Sequence, residues 1–118
     1  PEQRARFFTP DADSLRVADA LRQIVRFEQL NLLAPFPTGA GFHVILCQNV
    51  TIYFQLGSCR SLVERFYAAL EDGGLLLLGF SETLWQISNR FRWRELDGSF
   101  VYQKPRPDEP PPPRSAPR

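Results

Sequence analysis

The chain has 118 residues, 43% of them apolar and 23% charged, with 14 Lys+Arg against 13 Asp+Glu. That near-balance excludes the basic field on which non-specific nucleic-acid binding depends, and equally an acidic solvating tail; the length allows one domain at most. Two cysteines, Cys47 and Cys59, and a single histidine, His43, are too few for a four-ligand zinc site or a disulfide scaffold, so no metal is expected and a reducing, cytoplasmic compartment is the default. Apolar stretches such as Leu75 to Leu78 fall well short of the roughly 20 residues a membrane helix needs, so no membrane insertion is expected. Met is absent and the chain opens at Pro1, so the expectation is a piece of something longer or a trimmed product.

In chain order, Ile24, Val25 and Phe27 suggest a short strand over 24–28, with Asn31 and Leu32-Leu33 just past its end. Phe42 to Cys47 is a nearly continuous apolar run after Gly39 and Gly41, the pattern of a strand covered on both faces. From Ser58 to Asp72 the residues Leu62, Val63, Phe66, Ala69 and Leu70 share one helical face, with Ser58 or Ser61 to start the helix and Gly73-Gly74 to stop it. Leu75 to Gly79 reads as a second buried strand, and Ser81 to Ser88 as a short helix opened by Ser81. Phe91 and Trp93, then Asp97-Gly98, then Phe100 and Tyr102 form alternating runs around a two-residue turn that tolerates positive φ, the signature of a hairpin.

Strand, helix, strand, helix, hairpin is an α/β order, and buried strands separated by a helix require a parallel pair joined by a crossover. From Pro105 onward the chain is proline-rich and carries no large apolar side chain, so residues 105–118 are expected to be a disordered, semi-extended linker or tail, with a further domain possible after it.

In open parallel sheets, ligands sit beyond the carboxyl ends of the strands. That rule singles out Asn31-Leu32, the run from Gln48 to Phe54, and Ser81-Glu82. Asn31 and Asn49 can each either pair with a ligand or serve a turn or cap, and their position alone leaves both roles open. Gly39-Ala40-Gly41 precedes a strand instead of following one, so it does not read as a phosphate-cradling loop. His43 has no partner at ligand spacing, and Cys47 and Cys59 suit packing. The aromatic residues of the hairpin lack the basic stripe of a base-stacking platform. Glu82 can bind a cation, orient a ligand, or simply favour a helix start through the macrodipole.

Val25-Arg26-Phe27, Asn31-Leu32-Leu33, the string from Phe42 to Phe54, Gly73-Gly74 with Leu75 to Leu78, and Gly79-Phe80-Ser81-Glu82 follow one another in an order that closely resembles the carboxyl-terminal half of the bacterial chemotaxis receptor methyltransferases (CheR). The likeness runs from about Arg6 to Lys104. It implies the carboxyl-terminal half of a Rossmann-like methyltransferase sheet, with sheet order 3-2-1-4-5-7-6, occupying residues 1–104 and ending in an antiparallel hairpin. It also implies a protein-glutamate O-methyltransferase that uses S-adenosylmethionine to esterify glutamates on the cytoplasmic domains of chemoreceptors. Asn31, Leu32, Gln48 and Asn49 then correspond to cofactor-binding positions, and Tyr53 to a catalytic tyrosine near the transferable methyl.

Gln48 stands where the family normally has Arg; His43, Gln55 and Phe80 replace the usual Asp, Asp and His. By the same resemblance the glycine-rich cofactor loop, the acidic residue for the ribose, the family's catalytic Arg, its helical amino-terminal domain and the first two strands belong upstream of Pro1, which would leave the apolar edge of strand 42–47 open and the isolated chain inactive. Gln48 also supports an alternative, a degenerate methyltransferase-like binding or signalling module without catalysis.

Overall fold

The structure is a computed structural model that describes residues 1–35, 41–79, 82–84 and 87–111. Its described residues fall into two compact units, residues 1–30 and residues 31–118.

The first unit opens with a one-and-a-half-turn helix α1 (Glu2–Phe7), which runs straight into an antiparallel pair β1 (Phe8–Asp11) and β2 (Ser14–Val17). The tight turn between the strands uses Ala12 at positive φ. The Phe7 carbonyl accepts a 2.8 Å bond from the Ala18 N–H, just before the single-turn helix α2 (Asp19–Arg22). The sequence carried a signal for this hairpin in Asp11-Ala12-Asp13-Ser14, a cluster of turn formers between Phe8-Thr9 and Leu15-Arg16-Val17, which the reading above does not use.

The strand expected over 24–28 does not form. These residues have no ladder partner, and Ile24, Val25 and Phe27 are exposed. An isolated extended segment cannot satisfy its backbone groups against a neighbour, and β-propensity is realised only in a sheet.

The second unit is a four-stranded sheet with order β3-β4-β6-β5, formed by β3 (Phe42–Cys47), β4 (Leu70–Leu78), β5 (Arg92–Leu96) and β6 (Ser99–Gln103). It is the mixed α/β arrangement expected, and its strands reproduce the 4-5-7-6 portion of the order implied above. β3 and β4 are parallel and joined by helix α3 (Leu56–Ala69). Val44, Ile45, Leu46 and Cys47 lie opposite Leu75, Leu76, Leu77 and Leu78, so the two strands end side by side.

Helix α3 starts two residues before the expected Ser58, with Gln55 as its extended N-cap residue, and ends at Ala69. Leu70 already has strand geometry, and the pairing of β3 with β4 shifts register between Phe42 and Val44. Gly73, at φ +82°, absorbs that irregularity, so the glycine pair works inside the strand instead of closing the helix.

The buried face of α3, made by Cys59, Leu62, Val63, Phe66 and Ala69, contains four of the five residues expected to share it; the fifth, Leu70, is buried but belongs to β4. That face packs against Cys47, Leu76 and Tyr102 of the sheet, with Leu84 and Phe91 closing the cluster. The buried Tyr102 hydroxyl accepts a 3.2 Å bond from the Leu84 N–H and lies 3.1 Å from the Thr83 hydroxyl, which meets the polar requirement of a phenol in a core.

Only one face of β3 is covered. Ile45 and Cys47 turn toward the cluster, whereas Phe42, Val44 and Leu46 remain 46%, 50% and 67% exposed. The expectation of a strand covered on both faces is therefore corrected: α3 shields a single side of the sheet, and β3 is its edge strand among the described residues.

The hairpin is as expected. Asp97 and Gly98 both have positive φ, and Trp93 pairs with Tyr102 across the ladder. Glu82 to Leu84 are not helical, so the short helix expected over 81–88 is not formed there; Ser81, Trp85 and Gln86 lie outside the described residues. The first residues of the proline-rich segment lie beside β5, where Arg92 pairs with Glu109 at 3.3 Å and donates to the Pro110 carbonyl at 2.5 Å. No described helix is long and apolar enough to cross a membrane.

Leu62 has no exposed surface and sits at the centre of the helix–sheet contact. Leu62→Ala should destabilise the protein by about 2–5 kcal/mol, the range for a buried leucine that leaves a cavity, read as a lowered urea midpoint at unchanged slope.

Candidate functional site

Because β3 and β4 end in register, the residues after Cys47 and those after Leu78 meet at one edge of the sheet. Gln48 and Asn49 follow β3, and Thr51–Tyr53 form a single 3₁₀ turn before α3 begins. Asn49 has φ +60°, a left-handed conformation that Asn tolerates better than other non-glycine residues. Gly79 follows β4. A Cβ there would lie 2.4 Å from Glu82 Oε1 and 2.8 Å from Asn49 Oδ1, so any other residue would have to displace the carboxylate and the amide from where they stand.

The junction is held by one carboxylate. Glu82 Oε1 accepts from the Asn49 N–H at 2.5 Å and the Gly79 N–H at 2.8 Å; Oε2 accepts from the Thr51 N–H at 3.0 Å and from the Thr51 hydroxyl. Burial works against the charge, but the bonds from the Thr51 hydroxyl and the backbone N–H groups of Asn49, Gly79 and Thr51 outweigh it and hold the Glu82 carboxyl below its ordinary range. Neither helix-start electrostatics nor cation binding, two of the roles open to Glu82 from sequence, describes this arrangement. The spacing Gly79-x-x-Glu82 at the end of a buried strand was the available signal.

Beneath the junction the Cys59 thiol faces the carbonyls of Thr51 at 3.4 Å and Phe54 at 3.8 Å. Burial pushes the Cys47 thiol up, and the Glu82 carboxylate and Cys59 add to that shift, so Cys47 is a packed thiol and not a nucleophile. No three His, Cys, Asp or Glu side chains gather to hold a metal ion among the described residues.

Of the sequence-predicted positions, Gln48 and Asn49 lie on this edge with exposed side chains, and Tyr53 is 81% exposed on the turn that follows. Leu32 packs against the same core as Val50 and Phe54, and Arg65 of α3 donates to the Leu32 carbonyl. Asn31 Oδ1 accepts a 3.0 Å bond from the Leu33 N–H, so its amide oxygen serves a local turn. Two neutral amides and a phenol beside paired strand ends supply donors and acceptors suited to a ligand with amino, carboxylate and ring-nitrogen groups.

Residues 1–100 match the family described as CheR methyltransferase, SAM binding domain. The chain is 41% identical over 103 residues to chemotaxis protein methyltransferase 2 of Vibrio cholerae, covering 85% of this chain and 36% of that protein. It is 37% identical over 107 residues to the chemotaxis protein methyltransferase of Escherichia coli, covering 86% of this chain and 36% of that one. With chemotaxis protein methyltransferase 1 of Pseudomonas aeruginosa it shares 31% identity over 104 residues, covering 87% and 38%. The chain thus spans little more than a third of the length of these curated relatives. A matching order of motifs, a sheet edge built from them and this extent of identity lead to one conclusion: the chain belongs to the CheR methyltransferase SAM-binding-domain family.

Proposed function

We propose that this chain forms part of the cofactor pocket of a protein-glutamate O-methyltransferase, which moves a methyl group from S-adenosylmethionine to glutamate side chains on the cytoplasmic domains of chemoreceptors. The observation that carries the reading is the left-handed Asn49 turn, clamped between the carboxyl ends of two parallel strands in a chain of this family. In this reading residues 1–104 are the carboxyl-terminal part of the domain, and residues 105–118 are a proline-rich linker leading toward a further domain. The cytoplasm, where receptor tails lie, is its compartment.

When bound, S-adenosylmethionine supplies an electrophilic methyl group on a sulfonium. A substrate glutamate, with a reference pKa of about 4.3, is already ionised at neutral pH and needs no general base. The work left to the protein is orientation, for which well-aligned reactants save on the order of 7 to 11 kcal/mol. Gln48 and Asn49 hold the cofactor by their amides, Leu32 shapes the wall, Asn31 binds through the amide nitrogen its turn leaves available, and the Tyr53 phenol orients the methyl group.

A second reading, a methyltransferase-like module kept for binding or signalling, is favoured by Gln48, which carries no charge and no guanidinium fork. Methyl transfer by the full-length parent protein to receptor cytoplasmic fragments, read as base-labile methyl ester, separates the two. Activity of the wild type that Gln48→Arg does not raise removes the non-catalytic module, whereas an inactive wild type removes the enzyme. At saturating cofactor, Tyr53→Phe should lower kcat by about tenfold, the worth of one orienting hydrogen bond of ~1.4 kcal/mol. The 118-residue chain alone should show no micromolar S-adenosylmethionine binding by calorimetry, because the glycine-rich loop and ribose carboxylate that the family resemblance implies are not among its residues.

A further inference from the structure

We infer that Glu82 is a positioning residue for the cofactor pocket: its carboxylate fixes the turn Asn49–Thr51 against Gly79 and so aims the side chains of Gln48 and Asn49, without itself touching ligand. The inference rests on the reading of that edge as a cofactor site.

The argument is one of acceptor capacity. An ionised carboxylate has about four good acceptor positions. Four donors occupy them here: the N–H groups of Asn49, Gly79 and Thr51, and the Thr51 hydroxyl. No acceptor is left for a ligand hydroxyl or amine. The same bonds join two pieces of chain, residues 49–51 at the exit of β3 and residues 79–82 at the exit of β4, across 31 and 33 residues of sequence. Asn49 sits in a left-handed conformation that costs a non-glycine residue free energy and persists only where the surroundings fix it. Its N–H bond to Glu82 is such a restraint.

Gly79 completes the device. A side chain there would collide with both Glu82 Oε1 and Asn49 Oδ1, so the glycine and the carboxylate form a matched pair. The titratable side chain coupled most directly to Glu82 is Cys47 of β3, which is in turn coupled to Cys59 of α3; both are buried thiols and neither supplies a counter-charge. Backbone dipoles and one hydroxyl therefore hold the carboxylate in its charged form.

Glu82→Gln keeps one oxygen and places an NH2 group against Thr51, which breaks the bond from the Thr51 N–H and turns the Thr51 hydroxyl from donor to acceptor. In the full-length protein this variant should raise the S-adenosylmethionine Kd on the order of tenfold or more, with a parallel rise in KM and a kcat at saturating cofactor within about threefold of wild type. A purely structural role would lower the active fraction, reducing kcat and leaving KM unchanged. Thr51→Val removes only the hydroxyl and serves as the milder second variant, with an expected Kd rise of a few fold. Its effect should shrink only as pH falls below the ordinary carboxylate range and through the depressed folded value, where Glu82 takes up a proton; above the unfolded range near about 4.3 the carboxylate's contribution is complete. Wild-type binding with unchanged Kd in both variants would overturn the inference and leave the proposed function standing. Failure of the wild type to bind S-adenosylmethionine at all would overturn both.

Discussion

The parallel ladder between β3 and β4 is the constraint from which the rest follows. Four leucines of β4 run beside Val44 to Cys47, so two strands separated by a whole helix finish at the same height. Parallel pairing of this kind requires a crossover, and α3 supplies it while burying its Leu62, Val63 and Phe66 stripe on the strands it connects. Packing and topology are then one requirement. Lose the stripe and the crossover has no reason to lie on the sheet; lose the crossover and the strand ends no longer meet.

Meeting strand ends create a polar problem that the chain solves with one side chain. The backbone donors released where β3 and β4 stop need acceptors, and the nearest surroundings are the apolar core and two buried thiols. A carboxylate answers three N–H groups at once, but only if it can lie against the backbone, which is why Gly79 stands where a Cβ would displace it. Burial raises the Cys47 pKa, and the fixed negative charge of Glu82 adds to it, so this thiol stays protonated. The chemistry of this edge is therefore set by hydrogen-bonded dipoles and not by reactive sulfur.

The second unit was legible in the sequence where the chain carries both elements of each contact. The Leu62-Val63-Phe66 stripe and its sheet partners are all present, and Asp97-Gly98 needs only its own two strands. The reading failed where the described residues hold no partner strand or covering layer. Ile24, Val25 and Phe27 have the composition of a strand, yet composition cannot supply the neighbour that a ladder requires. The same holds for Phe42, Val44 and Leu46, whose pattern signals burial on both faces although α3 covers only one. At the candidate site, the run holding Gln48, Asn49 and Tyr53 followed from the strand-end rule, whereas the clamp did not, because backbone N–H donors at Asn49 and Thr51 leave no trace in residue type and Gly79 was the one partner that did. Asn31 shows the converse: its Oδ1 serves a local turn, one of the two roles its position left open.

Gln48 bears on affinity more than on chemistry. A neutral amide keeps both donor and acceptor capacity and loses only the charge and the planar fork of a guanidinium. The proposed reaction joins an ionised carboxylate to a sulfonium methyl and consumes no proton, so no step depends on a cationic side chain at this position. A change from Arg to Gln therefore leaves the sequence of bonds made and broken intact, and alters how tightly the reactants are held.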